Sequence, residues 1–245
     1  MKRVLILGAT KGMGRALARL LAERGERLCL LGRDMKDLER SARDLEVRGA
    51  SKPVDVAFCD LEKPESFEPA LREAQTKMGG IDLVIVTAGL FARQEELEED
   101  SERAQRLLTV DFTNTMLFCE AARKPLLMGG GGTLCVFSSV AGERGRKPVI
   151  LYGAAKAGLS RYLEGLDHKY RSEGLKVVCV KPGFVKTGMT QGLKPPPFAG
   201  EAESVARRVL KAIDRGEPVV YAPAAWKYIM MAIRGMPRVV MRRLN

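Results

Sequence analysis

Histidine and long apolar runs are nearly absent from this sequence of 245 residues. The single histidine, His168, lies in a polar stretch, so neither a Ser-His-Asp hydrolase nor a histidine-based metal centre is expected. No run approaches the ~20 consecutive apolar residues that a membrane-spanning helix needs. Residues 1–8 have a basic start and a short apolar run, but glycines and Lys11 follow where a signal peptide would continue. We therefore expect a cytoplasmic protein whose first element is a strand.

Cysteine is also scarce, and its pattern excludes two kinds of site. The five cysteines are odd in number, most lie within apolar runs, and none forms a Cys-x-x-Cys pair. This pattern is typical of reduced core residues, and it predicts neither a disulfide framework nor a metal site. The positions are Cys29, Cys59, Cys119, Cys135 and Cys179.

Acidic residues are missing from the C-terminal stretch 218–245, although the whole chain carries a net charge of +11. Its cations predict an affinity for anions, and no nucleic-acid motif accompanies them, so no nucleic-acid partner is expected. The cations are Lys227, Arg234, Arg238, Arg242 and Arg243.

The same stretch has an apolar stripe at helical spacing, which Pro237 should interrupt. One interpretation is a surface helix that rests on anionic lipid headgroups as a peripheral membrane contact. The alternative is that the stripe covers a substrate pocket or forms a subunit contact. The stripe consists of Trp226, Ile229, Met230, Ile233 and Met236.

Short apolar runs alternate with helical patterns along the chain. The runs lack a two-residue period, which favours a parallel sheet covered on both faces. We predict an α/β protein with a single-domain, Rossmann-like, doubly wound parallel sheet over residues 1–222, followed by a basic amphipathic tail, 223–245. The predicted strands are 4–7, 27–31, 54–58, 83–86, 133–137 and 176–180. The predicted helices are 15–24, 35–48, 64–77, a long one that ends near 127, and 149–171.

A glycine-rich turn joins the first strand to the first helix. Glycines let the backbone approach a pyrophosphate, and the helix N-terminus offers N–H groups and a positive dipole end. A turn of this kind also occurs in ordinary βα loops, but its place in the first βα unit favours a dinucleotide site. The predicted contacts are Gly8, Thr10, Lys11, Gly12, Met13 and Gly14.

The end of the second strand predicts which dinucleotide is bound. A carboxylate there would bind the ribose of NAD, whereas a cation pairs with the 2′-phosphate of NADP. Gly32 and then Arg33 occupy this point, with Lys11 as a second cation, so NADP(H) is predicted. Asp34 is interpreted as the cap of the next helix. After the third strand, Asp60 and the adjoining Leu61 are placed to meet the adenine, although a loop carboxylate is more often only a cap.

Tyr152 and Lys156 are four residues apart in the predicted helix 149–171, so both emerge on one face. A neighbouring ammonium favours the phenolate, and we expect it to bring the pKa of Tyr152 toward the neutral range. Ser139 ends an apolar run, and its hydroxyl is suited to hold a substrate oxygen. Taken alone, the pair also fits a half-buried aromatic residue beside a solvated lysine.

These motifs stand in the order and spacing of the short-chain dehydrogenase/reductase family, which the chain resembles over almost its full length. The pattern combines the glycine-rich turn, Thr87-Ala88-Gly89, Ser139, Tyr152-x-x-x-Lys156 and Pro182-Gly183. The resemblance implies that Ser139, Tyr152 and Lys156 are catalytic and that Tyr152 and Lys156 also contact the cofactor. It implies cofactor contacts from Thr87, Ala88, Gly89, Pro182, Gly183 and Thr187.

Asp111 departs from the family pattern, which has an asparagine at this point in the long helix. In the family this asparagine holds a water on the lysine, and the resemblance assigns Asp111 to the same place. Asn114 lies one turn further along.

A narrower resemblance, to decaprenylphosphoryl-2-keto-ribose reductases, lies in segments 138–144, 152–159, 221–231 and 237–238. It implies reduction of a keto sugar on a polyprenyl phosphate, with a flavin-dependent oxidase as partner, at the inner face of the membrane. Other lipid ketones, a 3-keto sphingoid base or a 3-oxoacyl thioester, remain alternatives, as does a catalytically silent NADP-binding regulator. The wider family implies a homo-oligomer.

Overall fold

The computed structural model describes residues 1–243, in which a seven-stranded parallel sheet is covered by helices on both faces. The strands are β1 (Arg3–Leu7), β2 (Arg27–Gly32), β3 (Ser51–Phe58), β4 (Leu83–Val86), β5 (Gly132–Phe137), β6 (Leu175–Pro182), β7 (Val185–Lys186), β8 (Gly200–Glu201) and β9 (Val219–Ala222). The order in the main sheet is β3-β2-β1-β4-β5-β6-β9, and β7 pairs separately with β8. The predicted fold class is confirmed.

The helices follow the strands in alternation. They are α1 (Gly12–Glu23), α2 (Met35–Val47), α3 (Phe67–Met78), α4 (Gln94–Glu99), α5 (Ser101–Leu108), α6 (Thr115–Met128), α7 (Ile150–Tyr170), α8 (Ala202–Arg215), α9 (Ala225–Gly235) and α10 (Arg238–Met241). None of those within residues 1–243 is long and apolar enough to cross a bilayer.

Strand β1 shows why the sheet needs helices on both faces. Val4 and Ile6 point into a core shared with α1, α2 and α8, whereas Leu5 and Leu7 point into a second core shared with α3, α6 and α7. All four residues are almost fully buried, so an apolar run without alternation is what this position requires. All five cysteines are buried in these layers.

The strand order reverses at β1, which lies between β2 and β4. In doubly wound sheets the ligand crevice lies at the carboxyl ends of the strands beside such a reversal. Here Gly8 follows β1, Thr87 follows β4, Ser139 lies just beyond β5, and Gly183 follows β6. The topology therefore brings the sequence motifs to one edge of the sheet.

Several elements differ from the sequence prediction. Strands β7 and β8 and helices α4 and α8 were not predicted. Strand β9 was also not predicted, because it is only four residues long and directly follows Pro218. The long helix before residue 127 is divided by a π-helical turn, Thr109–Asn114, between α5 and α6.

The predicted break at Pro237 is confirmed, since it separates α9 from α10. The apolar stripe on α9 faces the protein, with Met230 fully buried. The Trp226 ring lies against Gly183, where an added Cβ would overlap it, and the indole Nε1 donates to the Phe198 carbonyl at 3.2 Å. Trp226 and Met230 therefore pack against neighbouring elements, and both interpretations of the stripe, as a membrane contact and as a cover or subunit contact, stay predictions.

Candidate active site

Helix α7 carries Tyr152 and Lys156 on one face, with the Lys156 Nζ 5.6 Å from the centre of the tyrosine ring. Ser139 follows β5, and its Oγ accepts a hydrogen bond from the Ala141 N–H at 3.1 Å. That bond uses the oxygen and leaves the Ser139 hydroxyl hydrogen free to donate. The Ser139 hydroxyl acts to lower the pKa of Tyr152. The three predicted residues are together.

The loop after Ser139 lies directly on α7 because two glycines permit the approach. A Cβ on Gly142 would lie 2.6 Å from the Ala157 nitrogen, and one on Gly153 would lie 2.9 Å from the Ala141 oxygen. Distances this short are not tolerated by a side chain, so the close contact requires glycine. The contact fixes the position of the serine loop relative to the tyrosine helix.

Two residues that the sequence reasoning missed support this helix. The buried Gln94 accepts hydrogen bonds through its Oε1 from the backbone N–H groups of Ile150 and Leu151, at 2.9 and 3.2 Å. It thereby satisfies two free N–H groups in the first turn of α7. The Phe91 ring packs edge-on against Tyr152, with ring centres 5.2 Å apart. The one sequence signal for Phe91 and Gln94 is that both lie shortly after Thr87-Ala88-Gly89.

Asp111 lies in the π-helical turn and is fully buried. Its Oδ1 accepts a hydrogen bond from the Leu90 N–H at 2.6 Å, and its Oδ2 forms an ion pair with the Lys156 Nζ at 3.2 Å. Segments of this helix type are often found at functional sites. The nearby Asn114 instead donates to the Leu61 carbonyl at 2.6 Å, so it anchors a loop and does not reach the lysine.

The electrostatics of the site correct one expectation. Burial raises the pKa of Tyr152, and although Lys156 and Ser139 act to lower it, the Asp111 carboxylate adds to the rise, so the net direction is upward. The predicted shift toward neutrality is therefore wrong in direction. Burial acts to lower the pKa of Lys156, but the Asp111 carboxylate, together with the Tyr152 phenolate once it forms, outweighs burial and raises that pKa. The lysine is a firmly held ammonium beside a protonated phenol.

The glycine-rich turn forms a cradle without side chains. A Cβ on Gly8 would lie 2.6 Å from the Ala88 nitrogen, and one on Gly14 would overlap the Gly8 carbonyl oxygen. Gly12 starts α1 with a φ of +51°. Lys11, the N-cap, makes no side-chain hydrogen bond to the first turn. The N–H groups of that turn therefore remain available to a phosphate, which fits a dinucleotide.

The other residues of this turn lie at its rim. The Thr10 carbonyl accepts a hydrogen bond from the Arg15 Nε at 2.6 Å. The Lys11 side chain is 81% exposed, and its Nζ lies 3.9 Å from the Asp37 carboxylate. Met13 is half-buried against the core.

The remaining predicted contacts surround the same crevice. The Thr87 Oγ1 donates to the Gly8 carbonyl at 2.9 Å, and a Cβ on Gly89 would lie 3.5 Å from the Lys156 Nζ. Ala88 is the backbone neighbour of Gly8 described above. Pro182 ends β6, and the Thr187 side chain lies beside Gly12. The glycine-rich turn, Lys156 and Thr187 therefore lie around one crevice.

Arg33, predicted to select the 2′-phosphate, has a carboxylate partner. Its guanidinium lies 2.9 Å from the Glu62 carboxylate, which also pairs with Arg106 at 2.6 Å. Arg106 and Arg33 hold the pKa of Glu62 below its usual range. Asp60 accepts from the Glu62 N–H at 3.0 Å, and Leu61 is buried.

The prediction that Asp34 caps the second helix is confirmed. Asp34 is the N-cap of α2, and its carboxylate accepts a hydrogen bond from the Asp37 N–H at 3.0 Å.

The sequence profile of the family described as short chain dehydrogenase matches residues 2–197. The chain belongs to the short-chain dehydrogenase family. It is 31% identical over 241 residues to an uncharacterized oxidoreductase of Mycobacterium tuberculosis, with 98% of this chain and 96% of that protein covered. A second uncharacterized oxidoreductase, from Streptomyces coelicolor, is 34% identical over 253 residues, with 99% and 96% covered.

A more distant relative has a more specific name. The carbonyl reductase family member 4 of Xenopus laevis is 28% identical over 217 residues, with 85% of this chain and 89% of that protein covered.

Solved structures share the fold of this short-chain dehydrogenase. A short-chain dehydrogenase/reductase from Mycobacterium ulcerans superposes with a TM-score of 0.81 at 20% identity, covering 89% of this chain and 86% of that one. Levodione reductase superposes with a TM-score of 0.81 at 23% identity, covering 89% of this chain and 94% of that one. Family membership makes the protein an oxidoreductase that acts on CH–OH or C=O groups with a nicotinamide cofactor. The glycine cradle described above fits that cofactor.

Proposed function

We propose that this short-chain dehydrogenase is an NADPH-dependent ketoreductase. The observation that carries the proposal is the meeting of Ser139, Tyr152 and Lys156 at the carboxyl edge of the sheet, beside the glycine turn. The name of the Xenopus carbonyl reductase supports a carbonyl as the reacting group.

The residues have distinct roles. When bound, the reduced nicotinamide supplies the hydride that converts a carbonyl carbon to an alcohol carbon. The Tyr152 hydroxyl donates its proton to the carbonyl oxygen as negative charge develops there, and the Ser139 hydroxyl donates a hydrogen bond to the same oxygen. The Lys156 ammonium stabilises that charge and binds the nicotinamide ribose.

The raised pKa of Tyr152 favours reduction over oxidation. A proton donor must carry its proton, and a phenol whose pKa lies above its ordinary value of 10.0 is protonated throughout the neutral range. Alcohol oxidation needs the phenolate, so that direction is expected to become faster only at alkaline pH.

The proposed preference for NADPH rests on Arg33, and its partner Glu62 offers a test. Glu62 competes with a 2′-phosphate for the Arg33 guanidinium. Arg33→Ala should raise the KM for NADPH at least about tenfold while that for NADH changes little, since one charge-assisted pair is lost. Glu62→Gln, which frees the guanidinium, should lower the KM for NADPH. Equal responses of the two cofactors to both variants would refute the assignment.

The proposed substrate is the 2-keto group of a polyprenylphosphoryl pentose, with a 3-keto sphingoid base or a 3-oxoacyl thioester as alternatives. The proposal is supported by the C-terminal segment, because Trp226 packs on Gly183 and donates to the Phe198 carbonyl, and exposed apolar side chains with cations follow it. The test measures NADPH oxidation with the keto sugar lipid, its water-soluble keto pentose phosphate and short ketones. Preference for the lipid-linked sugar supports the substrate, and equal rates with short ketones contradict it.

The same assay separates an enzyme from a silent NADP-binding regulator. A regulator would bind NADPH without oxidising it with any member of the ketone panel. The partnership with a flavin-dependent oxidase and the homo-oligomer remain predictions.

A further inference from the structure

A groove of about 800 Å³ lies on the side of α7 that faces away from Tyr152. Its floor is the small-residue face of that helix, with Gly153, Ala154 and Ala157. One wall is the loop 141–147 and the other is the C-terminal segment 233–242. The wall loop begins directly after the catalytic serine, but Tyr152 and Lys156 do not line the groove.

Every charged residue that lines the groove is a cation. Two segments distant in sequence contribute to the set, and within residues 1–243 none of its members has a carboxylate within ion-pair distance. The cations are Arg144, Arg146, Lys147, Arg238 and Arg242.

Glu143, which precedes Arg144 in the sequence, is already paired with cations. Glu143 pairs with Lys181 and with Arg234, the latter at 3.1 Å, and accepts a hydrogen bond from the Tyr221 hydroxyl at 3.2 Å. This cluster ties the serine loop to α9, and a second tie runs from the Arg144 guanidinium to the Met236 carbonyl at 3.0 Å. The two walls are thereby held at a fixed separation with their cations unopposed.

Arg146 is the residue that most clearly lacks a partner. Its Nε is buried, and within the described part of the chain nothing accepts a hydrogen bond from it. Burial lowers the pKa of this guanidinium, since no carboxylate compensates for the lost water. Buried charges are expected to be paired, so the orphaned donor indicates an anion that the groove receives.

Exposed apolar side chains lie on the helices next to the groove, and Ile150 lines it. Ile150, Val239 and Val240 stand out from α7 and α10 beside the cations, and Tyr228 and Met231 are exposed on α9. Cations mixed with apolar side chains are suited to a lipid surface, where the apolar groups enter the interface and the cations meet phosphates. A soluble anion would not require this apolar rim.

We propose that the groove binds the phosphate of an anionic phospholipid at a membrane surface, using cations of both walls. Within the apolar stripe of α9, Ile233 lines the groove, whereas Trp226 and Met230 pack against the protein. The site is separate from the reducing chemistry, so its test does not depend on turnover.

The experiment measures binding of the full chain to vesicles of phosphatidylcholine alone and of phosphatidylcholine with phosphatidylglycerol. Binding only to the anionic vesicles is expected. Each cation near such a surface contributes about fivefold to the partition coefficient. Arg238→Gln with Arg242→Gln should therefore weaken binding about 25-fold. Lys147→Gln, at an exposed position of the other wall, should weaken it about fivefold, and adding Arg146→Gln about fivefold again.

The matched control is Arg43→Gln with Arg72→Gln, which removes the same charge from exposed, unpaired positions on α2 and α3. It should leave vesicle binding within about twofold, because charges more than a Debye length from the surface are screened. A control loss as large as that of the groove variants would show a non-specific charge effect and overturn the proposal.

Three other results would also overturn it. An unchanged partition coefficient for Lys147→Gln and its Arg146→Gln double variant would leave the tail as the contact and exclude the groove. Calorimetric binding of inorganic pyrophosphate that Lys147→Gln with Arg146→Gln abolishes, in a chain that ignores both vesicle types, would assign the groove to a soluble phosphate. A change of oligomeric state in the groove variants, by sedimentation velocity, without a change in vesicle binding would assign it to a second copy of the chain.

Discussion

The buried pair of Asp111 and Lys156 gives the sharpest prediction, because one substitution tests both its stability and its effect on the phenol. Asp111→Asn removes the charge and keeps an oxygen that can accept from the Leu90 N–H. At the observed 3.2 Å and an effective dielectric constant near 20, the attraction is about 5 kcal/mol. Loss of one partner of a buried ion pair lowers the free energy of unfolding by ~3–5 kcal/mol. Because the asparagine amide can still accept from the Leu90 N–H, we expect a loss near the lower end of that range.

The expected result is a fall in Tm of about 6–12 °C, since ~1 kcal/mol corresponds to ~2–4 °C at this chain length. The raised pKa of Lys156 means that the ion pair contributes fully below its ordinary value of 10.5 and is lost only as pH rises through the folded value. The difference in Tm between the variant and the unaltered chain should therefore be constant from neutral pH to about pH 9. Glu73→Gln, which breaks the exposed pair with Lys77, is the control and should cost less than ~1 kcal/mol.

The same variant should change the pH profile of alcohol oxidation. The Asp111 carboxylate acts to raise the pKa of Tyr152, so its removal should let the phenolate form at lower pH. The measurement is kcat against pH in the oxidative direction, and its alkaline rise should move to lower pH. An unchanged Tm together with an unchanged profile would refute the coupling of Asp111 to the two residues.

Two further predictions concern the supports of the site. Gly14→Ala places a Cβ on the Gly8 carbonyl oxygen, so it should cost ~1–3 kcal/mol in thermal unfolding and abolish dinucleotide binding in a fluorescence titration. Gly165→Ala, in open space on α7, should be neutral or stabilise by up to ~1 kcal/mol, and equal losses in both would contradict the cradle. Gln94→Ala removes the cap of α7 and should cost ~1 kcal/mol and lower kcat; an unchanged Tm would show that the cap contributes nothing.

The positions of β1 to β6, of α1 to α3 and of α7 were predictable because their cause is local. A run such as 83–86 is apolar throughout, since β4 is buried on both faces. The motifs follow strands β1, β4, β5 and β6, and parallel topology brings such positions together. The grouping of Ser139, Tyr152 and Lys156 therefore follows from sequence once the sheet is assigned.

The features that the sequence did not predict depend on contacts between residues far apart in the chain. The direction of the Tyr152 pKa shift is set by burial and by a carboxylate 41 positions earlier in the chain, neither of which the Tyr-x-x-x-Lys spacing contains. The Glu62 partner of Arg33 and the cap that Gln94 supplies to Ile150 are likewise contacts across the fold. The α9 stripe has helical spacing in either interpretation, and the burial of Met230 is likewise a contact across the fold.

The central claim is that the Tyr152 hydroxyl delivers the proton in ketone reduction. Tyr152→Phe removes that hydroxyl and keeps the ring that packs on Phe91. The measurement is kcat for the ketone substrate together with the dissociation constant for NADPH, with Tyr228→Phe, at an exposed tyrosine, as control. We expect the variant to lose at least about hundredfold in kcat and to bind NADPH within about twofold of the unaltered chain. Ketone reduction by the Tyr152→Phe variant at a rate close to that of the unaltered chain would contradict it.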